Sequence, residues 1–78
     1  MAVTAKEIAK QVPNAGSGKA IIEGAKVVLR KTESGPMVWA KEEDGVWKVF
    51  DDVGDATTPQ QTAPEIAREL VRRFSSLP

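Results

Sequence analysis

The chain contains no cysteine, no histidine and no tyrosine. Without cysteine there is neither a disulfide nor a thiolate nucleophile, and the redox compartment leaves no mark on the sequence. Without histidine the side chain best suited to proton transfer near neutral pH is missing, and so is the commonest metal ligand. General acid–base and nucleophilic catalysis thus lose most of their usual groups, and no enzymatic activity is expected. An excess of one charge is also lacking. Eleven basic and eleven acidic residues cancel, so no global field draws the chain toward nucleic acid or a membrane. No stretch approaches the roughly 20 apolar residues of a membrane-spanning helix. The opening segment, MAVTAKEIAK, lacks the charged-then-apolar pattern of a secretory leader. A cytoplasmic location without membrane contact is the expectation.

At 78 residues the sequence, 1–78, reads as one domain. A chain of this size buries only roughly 60% of the surface that its unfolded form exposes, so each large apolar side chain counts. Both tryptophans, Trp39 and Trp47, fall in the segment Val27–Phe50, which organises the rest. Two apolar runs, Met37–Ala40 and Val46–Phe50, flank an acidic turn that ends in Asp44-Gly45, a strong hairpin signal. A third run, Val27–Leu29, precedes them across a Ser-Gly-Pro break. Lys19–Glu23 has only two strong apolar residues and fits a short strand or a helical turn; the strand is the expectation.

Helices are expected at both ends. Thr4 with Glu7, and Thr62 with Glu65, each fit a capping box. The first helix runs from Thr4 toward Val12 and stops at Pro13. The second runs from Thr62 toward Leu77. Its Ile66, Leu70 and Phe74 recur every four residues and should pack on the sheet. The fold class is therefore α+β: a short N-terminal helix, a three- to four-stranded antiparallel meander, and a C-terminal amphipathic helix on one face. The same order occurs in double-stranded RNA-binding domains. Their phosphate contacts need basic residues where this chain has Asp51, Asp52 and Asp55, so it is not assigned to that family.

The hairpin admits two registers. A two-residue loop would set Lys41 against Lys48, an unfavourable pair. A three-residue loop with Gly45 left-handed avoids it and places Trp39, Trp47 and Val49 on one face, with Val38, Ala40, Val46 and Phe50 on the other. The second register is the expectation.

Motifs for small ligands are incomplete. Pro13–Ala20 carries the Gly-Lys of a phosphate-binding loop, but proline stands at its first glycine and alanine at its hydroxyl position. Asp51, Asp52 and Asp55 suggest a calcium loop, yet Ala56 and Thr62 stand where glycine and glutamate are required. No cofactor and no metal site are expected.

Charge is unevenly placed. Residues 42–55 hold six acids against Lys48 alone, a local net charge of −5. The expected function is that of a small protein-binding module, an adaptor, inhibitor or regulatory protein. Its partner would be a protein with a basic surface, met by Glu42, Glu43, Asp44, Asp51, Asp52 and Asp55 or by a sheet face bearing Trp39 and Trp47. The alternative is nucleic-acid binding through Lys26, Arg30, Lys31, Arg68, Arg72 and Arg73. Monomer and homodimer are both open.

Overall fold

A computed structural model of the chain describes residues 3–16, 18–55 and 62–77. Two helices cover one face of an antiparallel meander, which makes the fold α+β. Helix α1 spans Ala5–Gln11 and helix α2 spans Ala63–Ser75. Both open on the capping boxes read from the sequence. The hydroxyl of Thr4 accepts from the Glu7 amide, that of Thr62 accepts from the Glu65 amide, and each glutamate returns a bond to the cap. After α1, Pro13–Ala15 make a 3-10 turn that ends at Gly16.

The strands are β1 (Ile21–Glu23), β2 (Lys26–Arg30), β3 (Met37–Glu43), β4 (Val46–Asp51) and β5 (Gly54–Asp55), in spatial order β1-β2-β3-β4-β5. The segment 51–61 reads as a loop by composition. Its first residues instead end β4 and form the two-residue β5, while residues 56–61 lie outside the described ones. Among the described residues, no helix is long and apolar enough to cross a membrane.

The core is one cluster. Val27, Leu29, Val38, Ala40, Trp47 and Val49 from the sheet meet Ile8 and Val12 of the first helical segment and Ala63, Ile66, Ala67 and Leu70 of α2. The spacing of Ile66 and Leu70 puts both on the inner stripe of α2, and both are fully buried. Phe74, one turn further, packs at the margin of the cluster.

The β3–β4 register departs from the sequence expectation. Asp44 and Gly45 take φ values of 53° and 81°, two successive left-handed residues, as a type I′ turn requires. The loop is therefore two residues long, Lys41 pairs with Lys48 and Trp39 pairs with Phe50. A change of one residue in register moves every side chain of a strand to the opposite face. Trp47 and Val49 accordingly join Val38 and Ala40 under the helices, and Trp39 joins Phe50 on the other side. The like-charge pair that counted against this arrangement is relieved by Glu43, whose carboxylate lies 3.2 Å from Lys41 and 3.4 Å from Lys48. The primed turn also matches the twist of the strands.

Two outcomes follow for stability. Leu70→Ala should cost about 2–5 kcal/mol, as for other fully buried leucines, and should largely unfold so small a domain. A urea midpoint unchanged by that substitution would contradict this packing. Gly45→Val should cost about 1–2 kcal/mol from left-handed strain, and Gly45→Asn clearly less, in the same urea titration.

Candidate functional site on the uncovered sheet face

Alternation along β1–β4 sends Ile21 and Glu23, Lys26, Val28 and Arg30, Met37, Trp39, Lys41 and Glu43, and Val46, Lys48 and Phe50 to the side that the helices leave uncovered. The registers then align Ile21, Val28, Trp39 and Phe50 in one row across four strands. Val28, in the middle of the row, is 1% exposed although α1 and α2 lie on the other side of the sheet. Trp39 and Phe50 stack with ring centroids 5.9 Å apart and planes at 15°. Such a cross-strand aromatic pair stabilises the sheet and presents a large rigid apolar surface.

Lysines border this row. Continuing the β2–β3 register places Lys26 beside Lys41, which is itself opposite Lys48. The Lys26 ammonium lies 5.4 Å from the Trp39 ring centre, and that of Lys41 lies 5.3 Å from the ring centre of Phe50. Glu43 sits between Lys41 and Lys48. The hydrogen bond from Lys41, aided by Lys48, holds its carboxyl below the usual glutamate range. At the other end, Arg30 makes a two-oxygen contact with Glu23 at 3.1 Å and donates to the carbonyl of Glu33. Counting Lys26, Arg30, Lys41 and Lys48 against Glu23 and Glu43, strands β1–β4 carry a net charge of +2 on this face, and β5 adds Asp55 at the register position beside Phe50.

The acidic residues singled out from the sequence do not converge. Glu42 and Asp44 are exposed at the hairpin tip, but Glu42 points to the helix side and Glu43 to the open side. Asp51 ends β4 and Asp52 follows it, while β5 turns back so that Asp55 takes the register position opposite Phe50. Asp52 accepts from the Met37 amide at 3.3 Å. Asp51 is only 7% exposed and ties the sheet to α2. One oxygen accepts from the amides of Val53 and Gly54, at 2.9 and 3.1 Å, and the other is paired with Arg73. Burial by itself would raise the Asp51 pKa. The Val53 amide, the Arg73 guanidinium and the Gly54 amide outweigh it and hold the carboxyl below the ordinary aspartate range.

The two tryptophans are also separated. Trp47 is buried in the core, where its indole N–H donates to the carbonyl of Val3 at 3.1 Å, while Trp39 stays half-buried on the open face. The cations of the nucleic-acid alternative are divided as well. Lys26 and Arg30 lie on the open face. Lys31 donates to the Leu77 carbonyl and covers the Phe74 ring, Arg72 is paired with Glu69, Arg73 with Asp51, and Arg68 is exposed on α2. Phe50, Lys41 and Lys48 were not singled out from the sequence. Their signal was the Lys41–Lys48 pairing that a two-residue Asp-Gly loop implies.

Among the described residues, no group of three or more acidic side chains is arranged to hold a metal ion. A shallow depression lies at the helix ends, lined by Glu7, Lys10, Gln11 and Thr62 among others, and a second adjoins the open face between Ile21, Glu23, Arg30 and Glu33. No protein-family model matches the chain, and neither the curated proteins nor the solved structures contain a significant match to it.

The buried ion pair sets a pH dependence. The Asp51 carboxyl is depressed in the folded state, so its contribution is fully present above its unfolded pKa and is lost as pH falls through its folded pKa. Asp51→Asn should cost about 2–3 kcal/mol at neutral pH, because it leaves a partly buried guanidinium uncompensated. It should also flatten the loss of stability below about pH 4 that wild-type protein shows in urea titrations. Parallel pH profiles of the two proteins would overturn this assignment.

Proposed function

We propose that the protein is a non-enzymatic binding module and that the uncovered sheet face, centred on Trp39 and Phe50, is where it meets another protein. The observation that carries this reading is the row Lys26, Lys41 and Lys48 set beside a stacked aromatic pair on a face that, among the described residues, no element covers. Like charges placed side by side on adjacent strands weaken a sheet; Glu43 bridges Lys41 and Lys48, and with Lys26 the row still stays net positive. An acidic partner surface would relieve it. The net charge of +2 on β1–β4 therefore favours a partner that is acidic around an apolar centre, rather than the basic one suggested by composition.

Tryptophan and phenylalanine edges, with lysines at the rim, suit a protein interface whose centre is apolar and whose border is charged. Single-stranded nucleic acid is the second reading, since stacking platforms with flanking cations also bind bases. It is less favoured here. Each ring already has a face against the other, and an ammonium stands over each, so a base would have to displace existing contacts. The cations of α2 lie across the sheet from this face and could not follow the same strand.

A peptide-display selection on the wild-type protein, counter-selected on Trp39→Ala, tests the proposal. Expected are peptides with acidic residues beside apolar ones, amide shift changes confined to β2–β4, and binding weakened roughly tenfold or more by Lys26→Glu/Lys41→Glu. Enrichment of basic peptides that shift Glu42 and Asp44 instead would overturn it. So would saturable binding of an oligothymidine to the Trp39 face in the absence of any selected peptide.

A further inference from the structure

The β1 edge carries an independent inference. Strand β1 ends the sheet, and among the described residues nothing pairs with its outer side. Its Ile21 and Ile22 are 49% and 44% exposed, two of the three exposed large apolar side chains among the described residues. Edge strands are ordinarily protected by shortness, a charge, a proline or a bulge. Strand β1 is short, at three residues, but Lys19-Ala20-Ile21-Ile22-Glu23 has no charge, proline or bulge at its centre and carries opposite charges at its two ends.

The hydrogen-bonding phase of that edge follows from the turn beside it. Gly24 has a φ of 61° at the first position of the two-residue Gly24-Ala25 loop, as a type II′ turn requires. Such a turn closes Glu23 against Lys26 as a hydrogen-bonded pair, consistent with their register. Backbone groups alternate in direction along an antiparallel strand, so those of Glu23 and Ile21 face β2, and those of Ile22 and, continuing the strand, Ala20 face outward.

We infer that β1 pairs antiparallel with β1 of a second copy of this chain, about a two-fold axis through Ile21. In that register Ala20 and Ile22 of one copy exchange hydrogen bonds with Ile22 and Ala20 of the other. Ile21 faces its own equivalent as the central non-hydrogen-bonded pair. Lys19 of each copy falls opposite Glu23 of the other, on the same face as Ile21. Two other registers satisfy the same alternation, centred on Ala20 or on Ile22. Both set a charged end against an isoleucine or alanine and lose the Lys19–Glu23 match. The carboxylate of Glu23, which already accepts from Arg30, then lies between two cations from different copies. The contact joins two five-stranded sheets into one and makes the two Trp39 faces continuous. It is small, so the dimer is reversible. It does not depend on what the Trp39 face binds.

The charge match gives the decisive experiment. By sedimentation equilibrium the wild-type chain should self-associate with increasing concentration, and Ile21→Lys should weaken this by roughly tenfold or more, through like charges at the two-fold axis. Lys19→Glu alone and Glu23→Lys alone should each be weakened. An equimolar mixture of those two variants should associate again, because each supplies the charge that the other lacks. The absence of native cysteine provides a second readout. Cα atoms of a non-hydrogen-bonded pair are about 4.5 Å apart, within the range a disulfide spans, so Ile21→Cys should cross-link readily under mild oxidation and Ile22→Cys slowly. A wild-type chain that stays monomeric at millimolar concentration overturns the inference. So do mixed charge variants that associate no better than either alone, or an Ile22→Cys that cross-links faster than Ile21→Cys.

Discussion

Two adjacent left-handed residues, Asp44 and Gly45, determine what each surface of this protein is made of. Strand side chains alternate, so a hairpin loop of two residues rather than three decides which tryptophan is inside. With the loop fixed, Trp47 fills the core beneath the helices and Trp39 stands on the outside against Phe50. The same choice creates the lysine row, since no other register sets Lys41 opposite Lys48. Asp44 tolerates the left-handed region because its short polar side chain can bond locally, and glycine meets no Cβ penalty there. The core and the candidate binding face thus share one origin in the turn.

A second constraint holds the far end of β4. Asp51 reaches from the last position of that strand to the last turn of α2, where it meets Arg73, and caps the turn into β5 with its other oxygen. A single carboxylate thereby fixes the helix to the sheet and ends the strand. The C-terminal end of α2 is held separately, by Lys31 on the Leu77 carbonyl and over the Phe74 ring. These two ties draw Asp51, Arg73 and Lys31, three of the charged residues that stand out in the sequence, into internal contacts.

The elements were legible where a local rule governs them. Thr4 with Glu7 and Thr62 with Glu65 marked both helix starts, and the four-residue spacing of Ile66 and Leu70 gave the buried stripe of α2. Val27 and Leu29, two positions apart, share the inner face of β2, as strand alternation requires. What the sequence left open depended on contacts between distant positions. Counted pairwise, Lys41 opposite Lys48 argues against the observed register, and only the reach of Glu43 to both ammonium groups reverses the balance. Asp51 sits in a stretch whose composition reads as loop. Its burial depends on Arg73, 22 positions later, which periodicity alone does not connect to it. The sequence expectation joined Trp39 to Trp47 on one face; the open face instead joins Trp39 to Phe50, and its lysines, at positions 26, 41 and 48, come together only through the strand registers.

The separation of the two tryptophans also makes the protein its own optical instrument. With no tyrosine in the chain, near-ultraviolet emission comes from the two indoles with only weak phenylalanine beneath them. The Trp47 indole, dry and held by the Val3 carbonyl, senses whether the interior is intact. The Trp39 indole, half in solvent beneath the Lys26 ammonium, senses whatever arrives at the sheet surface. A chain with Trp47 replaced by phenylalanine would leave one emitter on the outside, and one with Trp39 replaced would leave one emitter on the inside. Loss of structure and surface occupancy can then be followed as separate signals without any added label.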